Sequence, residues 1–216
     1  MQKYSVFSLI KNAFSNHQNW EVAWKDPTPK SEYDVVIIGG GGHGLATAYY
    51  LAKEHNIRNV AIIEKGWIGG GNVGRNTTII RSNFMYDANA RFNEFGMDLW
   101  RNLSQELNFN VMFSPRGIIN LAHSDAQMNA YARRGNSMRL NGIDAKLLDR
   151  DEVKKLIPMA DFSDEVRFPI FGGLMQPSAG TARHDAVAWG YARQADDMGV
   201  DLSLIHISEP TRPNNI

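Results

Sequence analysis

Tyr33-Asp34-Val35-Val36-Ile37-Ile38-Gly39-Gly40-Gly41-Gly42-His43-Gly44 opens a stretch that runs through Leu45 to Asn56 and ends on Val60-Ala61-Ile62-Ile63-Glu64. Val35 to Ile38 is a short, β-branched, buried-type strand that leads directly into glycine. Leu45, Ala48, Tyr49, Leu51 and Ala52 then recur near helical spacing, and Val60 to Ile63 is a second apolar strand. Strand, helix and strand at this length make a parallel βαβ unit. Within it Gly39-x-Gly41-x-x-Gly44 stands where a nucleotide-binding turn needs it. The first glycine allows the tight turn, the second lets backbone approach a pyrophosphate, and the third lets helix and strand pack closely. Gly40, Gly42 and His43 complete the turn, and the helix start offers N–H groups and a positive dipole end to phosphate. Glu64 lies about twenty residues past the last glycine, where an acid meets the adenosine ribose hydroxyls. An acid there disfavours a 2′-phosphate, so FAD or NAD is expected rather than NADP.

The next segment favours FAD. Lys65 and Gly69-Gly70-Gly71-Asn72-Val73-Gly74-Arg75-Asn76-Thr77-Thr78 form a long polar loop with flexible backbone, hydroxyls and a cation, followed by Arg81. A nicotinamide dehydrogenase would usually pass here into another ordinary βα unit, whereas such a loop suits a cofactor threaded through its domain. The fold class is therefore α/β, with a Rossmann-like FAD-binding domain.

Working outward, Tyr4 to Phe14 reads as a short amphipathic helix stopped by Asp26-Pro27-Thr28-Pro29. Helices are expected over Asp87–Leu107, Ala126–Leu140, Asp149–Ile157 and Asp185–Met198, and extended chain over Phe113–His123 and Ala145–Leu148. The expected organisation is an extension (1–30), the FAD-binding βαβ unit with its flavin loop (31–86), part of a substrate region (87–183), and a helix returning to the FAD domain (184–201). Leu202 to Arg212, LSLIHISEPTR, reads as the translation of a transposase-type sequencing adapter. The natural sequence is expected to stop near Asp201 and the true chain to continue beyond it, so His206 carries no functional weight. The source DNA decides this.

Composition excludes several classes. Lys+Arg and Asp+Glu both number 23, hydrophobic residues are 43% and charged residues 21%, as in an ordinary globular protein. That balance does not point to nucleic acid or to an anionic membrane. There is no cysteine, which removes disulfides, thiolate catalysis and cysteine metal sites. No His/carboxylate set has metal-ligand spacing, and no Gly-x-Ser-x-Gly nucleophile turn occurs. No apolar run is long enough to span a membrane, and Met1–Lys25 lacks the features of a secretory leader, so a cytoplasmic location is expected.

Several stretches resemble the β subunits of heterotetrameric sarcosine oxidases: Tyr33–Tyr50, Glu64-Lys65-Gly66-Trp67-Ile68-Gly69-Gly70-Gly71-Asn72, and above all Arg75-Asn76-Thr77-Thr78-Ile79-Ile80-Arg81-Ser82-Asn83. The likeness continues through Phe113-Ser114-Pro115-Arg116-Gly117, Leu140-Asn141-Gly142 and Gln176–Trp189, and covers essentially residues 1–201. It implies a D-amino-acid-oxidase-like enzyme whose FAD domain is interleaved with a mixed-sheet substrate domain, incomplete here at the C-terminus. It implies noncovalent FAD that oxidises the N-methyl group of sarcosine, and FMN attached covalently through a histidine that relays electrons to oxygen. Glycine, hydrogen peroxide and a one-carbon unit for tetrahydrofolate are the implied products, and α, γ and δ subunits the implied partners.

Carried over by residue, Gly39, Gly41, Gly44 and Glu64 match the FAD fingerprint, and Asn76, Thr77 and Thr78 its flavin-side loop. Arg81 matches the arginine that pairs with the substrate carboxylate, a role suited to a bidentate guanidinium; a structural ion pair is the other reading. His184 matches the FMN-linking histidine, an imidazole being a competent nucleophile toward the flavin 8-methyl group. From its sequence position alone His184 also fits a helix cap or surface residue. His43 either tunes electrostatics near the cofactor or is a packed loop residue. Two alternatives remain: a sister flavoenzyme that oxidises dimethylglycine or glycine, or a fragment with no activity of its own.

Overall fold

The computed structural model describes residues 6–16, 18 and 27–203; Tyr4, Asp26 and 204–216 lie outside them. Its contacts divide at Asn76/Thr77 and again at Arg183/His184. The first unit is built from both ends of the chain, and the second is the continuous segment Thr77–Arg183. The sequence reading carries the first unit to residue 86. Thr77 to Tyr86 cluster instead with the second, because Ile79–Ile80 pair antiparallel with Gly180–Thr181.

In the first unit, β1 (Val35–Ile38), α2 (Gly42–His55) and β2 (Val60–Ile63) follow the helix α1 (Val6–Phe14). β1 and β2 run parallel with Val35 opposite Val60. After the second unit the chain returns as α6 (His184–Asp197) and β8 (Asp201–Ser203), which pairs parallel on the far side of β2. The sheet order is therefore β1-β2-β8. Leu202 and Ser203 belong to the stretch expected to be foreign. The edge of β2 needs only a backbone partner and an apolar side chain beneath it, and Leu202, 2% exposed, supplies both.

α2 and α6 pack against each other through small residues, Ala48 and Ala52 on one and Ala188, Ala192 and Ala195 on the other, all buried. Small side chains let the helices approach closely. Tyr49 and Tyr191 meet edge to face at 5.4 Å. α2 stops at Asn56, whose left-handed backbone returns its N–H to the Leu51 carbonyl. Lys30, Tyr33 and Asp201 form a small clasp: the Tyr33 hydroxyl donates to Asp201 at 3.0 Å, and Lys30 pairs with the same carboxylate. On β1, by contrast, Val36 and Ile38 are 52% and 83% exposed.

The second unit contains β3 (Ile79–Ile80), α3 (Asp87–Glu106), β4 (Ile118–Ala122), α4 (Asp125–Leu140), β5 (Lys146–Asp149), α5 (Arg150–Leu156), β6 (Gly172–Gln176) and β7 (Gly180–Thr181). Its main sheet has the antiparallel order β4-β6-β5. Side chains on β6 alternate between two small cores. Leu174 joins Met138, Ile143 and Ala90 on the α4 side, and Met175 joins Val153, Leu148 and Ile170 on the α5 side. α5 begins with a capping box: Asp149 accepts from the Glu152 N–H, and the Glu152 carboxylate accepts from the Asp149 N–H.

Candidate functional site

The turn after β1 sits over the end of β2 as the βαβ pattern requires. Gly39 has φ +110°, a conformation that a side chain would strain. Its N–H donates to the Ile63 carbonyl at 2.8 Å, which ties the turn to the second strand. A Cβ on Gly44 would fall 2.1 Å from the Gly39 carbonyl oxygen, so only glycine permits α2 to start this close to the strand. A Cβ on Gly41 would meet nothing within 4 Å, and Gly41 is the residue from which α2 springs. Open space therefore lies before the helix N-terminus, where the first-turn N–H groups have no carbonyl partner inside the helix. His43 is exposed in that first turn.

Glu64 closes the cradle from below. Its Oε2 accepts from the Gly40 N–H at 2.7 Å and its Oε1 from the Gly66 N–H at 2.8 Å. The carboxylate thus bridges the glycine turn and the loop leaving β2, held by charge-assisted bonds. Lys65 beside it is exposed. The loop that follows folds back: the Gly69 N–H donates to the Gly40 carbonyl at 2.9 Å, and a 3-10 turn, Asn72–Arg75, carries Val73 up to Gly42. Gly71, Asn72, Arg75 and Asn76 are exposed, with the Asn76 amide donating to the Val73 carbonyl.

Open space at Gly41, an uncapped helix start and an acid fixed at the end of the second strand fit a dinucleotide such as FAD. The first unit thus gathers Gly39 to Gly44, Glu64, Lys65, Gly71, Asn72, Arg75 and Asn76. It also contains His184, the first residue of α6, whose Nδ1 is shielded from solvent and has no hydrogen-bond partner among the described residues.

Thr77, Thr78 and Arg81 belong to the second unit. Thr78 has φ +59°, a left-handed conformation that is an outlier for a β-branched residue and marks stored strain. Arg81 lines an open cavity of about 340 Å³ together with Phe92, Phe95, Leu99 and Trp100, and is the one charged side chain lining it. Its guanidinium lies 5.0 Å from the centre of the Phe84 ring, and Nη1 donates to the side-chain oxygen of Asn83. Among the described residues Arg81 has no carboxylate partner, so the ion-pair reading of this residue is not the arrangement found. On α3, Glu94 is already engaged: it accepts from the Ser82 hydroxyl at 2.5 Å and from Arg101 at 3.1 Å.

The sequence reading did not single out the polar residues behind Arg81. Ser82 and Asn83 are both fully buried, and so is Gln176, which accepts from the Ser82 N–H and donates to its hydroxyl. Two adjacent polar residues following the apolar pair Ile79-Ile80 are the signal that marks them, since buried polar groups must be partnered. No group of three or more His, Asp or Glu able to hold a metal occurs among the described residues, and no described helix is long and apolar enough to cross a membrane.

The strand order, glycine turn and terminal acid define a dinucleotide-binding domain of the Rossmann type. The FAD dependent oxidoreductase family matches residues 34–204, and the chain belongs to it. It is 60% identical over 200 residues to the sarcosine oxidase subunit beta of Rhizobium meliloti, covering 93% of this chain and 48% of that protein. It is 54% identical over 202 residues to the subunit of the same name from Rhodobacter capsulatus, covering 94% and 49%. The crystal structure of L-proline dehydrogenase from P. horikoshii superposes with a TM-score of 0.73 at 28% identity, over 82% of this chain and 45% of that one. The chain spans about half the length of the curated relatives it matches.

Proposed function

We propose that this chain is the FAD-binding front half of a β subunit that oxidises sarcosine, N-methylglycine, to glycine. The observation that carries the reading is the 60% identity with a sarcosine oxidase subunit beta. That match spans 93% of this chain. When bound, FAD accepts a hydride equivalent from the N-methyl carbon and FMN passes electrons to O2, giving hydrogen peroxide and a one-carbon unit for tetrahydrofolate.

This chain's own residues bind and orient. The α2 N-terminus, with Gly41 open before it, takes the pyrophosphate, and Glu64 the ribose hydroxyls. Lys65, Gly71, Asn72, Arg75 and Asn76 line the remainder of the cofactor on this unit. Arg81, unpaired with any acid among the described residues and flanked by an apolar cavity, clamps the substrate carboxylate and so fixes the methyl group for oxidation. His184 offers Nδ1 as the FMN tether, which its lack of a hydrogen-bond partner supports. The α, γ and δ subunits complete the assembly, and the cytoplasm is its location.

The test is to express the completed reading frame with its partner subunits and to measure peroxide formed from sarcosine. Turnover of dimethylglycine or glycine in preference to sarcosine would move the assignment to a sister enzyme. His184→Ala is expected to abolish covalently bound flavin, read as fluorescence retained on a denaturing gel, and unchanged covalent flavin would overturn the FMN assignment. The exposed β1 residues Val36 and Ile38 favour a second reading, in which a chain of this length has no activity by itself. A yellow purified chain with a flavin spectrum would argue against that.

A further inference from the structure

Behind Arg81 the second unit holds Asn83 by three of its polar atoms. Its side-chain oxygen accepts from Arg81 Nη1, and its side-chain amide donates to Asn120 Oδ1 at 2.7 Å. Its main-chain carbonyl accepts from Arg134, from Nε at 2.6 Å and from Nη2 as well. The directions are fixed by chemistry. A guanidinium only donates, so the Asn83 oxygen must face Arg81, and the amide is then left to face Asn120. Asn83 is fully buried, which makes this arrangement costly to rearrange.

The acceptor that orients Arg81 is therefore neutral. A carboxylate at this position would hold the guanidinium equally well but would also neutralise it. The surroundings keep acids away as well, because Ser82 and Arg101 occupy Glu94. Arg134 adds a second guanidinium whose own partner here is a carbonyl, and the two cations are close enough to disfavour each other. Burial first, and then the charge of Arg81, lower the pKa of Arg134. A pair of partly buried guanidiniums without an acid is a setting that attracts an anion.

We infer that Asn83 is a positioning residue that aims Arg81 at the substrate carboxylate without cancelling its charge, and that Arg134 on α4 holds Asn83 in that role. This rests on the reading of Arg81 given above. The experiment uses the full-length chain assembled with its partner subunits. Asn83→Asp, nearly isosteric, supplies a fixed carboxylate to Arg81. It is expected to raise the KM for sarcosine about tenfold or more, the loss of a charge-assisted contact, while kcat stays within about threefold and FAD content is unchanged. Acetate, used as a carboxylate probe of the flavin spectrum, should weaken in parallel. Arg134→Lys, which loses the two-pronged hold on the Asn83 carbonyl, should raise the same KM about threefold and keeps the test open if Asn83→Asp does not assemble. Arg81→Lys separates the two levels of the argument. If Arg81→Lys raises KM and neither Asn83→Asp nor Arg134→Lys does, the positioning role is overturned and the carboxylate clamp stands. If Arg81→Lys leaves both sarcosine KM and acetate binding unchanged, the clamp itself is wrong.

Discussion

Two glycines in one turn are expected to behave in opposite ways. Gly41→Ala introduces a methyl into empty space at φ −86°, an ordinary conformation, so stability should stay within about 1 kcal/mol of the parent. Flavin affinity should nevertheless fall about tenfold or more, since that space is the one proposed for the pyrophosphate. Gly44→Ala drives the same methyl into the Gly39 carbonyl and should cost about 1–3 kcal/mol, read as a lower melting temperature before any flavin is added. If both substitutions lower stability alike, the distinction fails. Glu64→Ala leaves the N–H groups of Gly40 and Gly66 without their acceptor, at about 1–3 kcal/mol for each that stays dry, and removes the acid proposed for the ribose as well. Titration with FAD and thermal melts report the two losses separately. The place of these residues in the turn was legible because the spacing of glycines and acid along strand, helix and strand specifies it. The hold of Arg134 on Asn83 was not, since that contact joins chain positions far apart and no local pattern announces the pairing.

Helices show the same contrast. Asp149 and Glu152 carry the capping-box pattern openly, and Asp149→Ala should cost about 1 kcal/mol, with loss of amide-exchange protection confined first to Arg150–Leu156. The strand β6 is the counterexample. Gly172-Gly173 reads as loop by propensity, and the sequence reading left this central strand unassigned. Its glycines are dictated by neighbours on either side: a Cβ on Gly172 would lie 2.4 Å from the Leu148 carbonyl, and one on Gly173 would lie 2.9 Å from the Asn120 carbonyl. Tertiary crowding overrides propensity here. Gly172→Ala should accordingly destabilise the second unit by about 1–3 kcal/mol, where the same change in a surface strand would be mild. Unfolding followed by tryptophan fluorescence would measure it, and a neutral result would mean that β5 and β6 are farther apart than described.

At the scale of the molecule, the described residues leave one face of a parallel strand uncovered. Strands of parallel sheets are ordinarily covered on both faces, yet β1 exposes Val36 and Ile38. At this length the chain is expected to bind an apolar dye and to self-associate, and Ile38→Thr should reduce both. A reading frame extended to the full length of its relatives should reduce them further; light scattering on the three preparations decides it. The discontinuous first unit also has a bearing on synthesis. β2 finds its second neighbour only in β8, on the far side of the whole of Thr77–Arg183. A ribosome delivers that continuous segment complete while the glycine cradle still lacks α6 and one edge of its sheet. The second unit can therefore acquire structure first, while the first completes its sheet only once α6 and β8 have emerged.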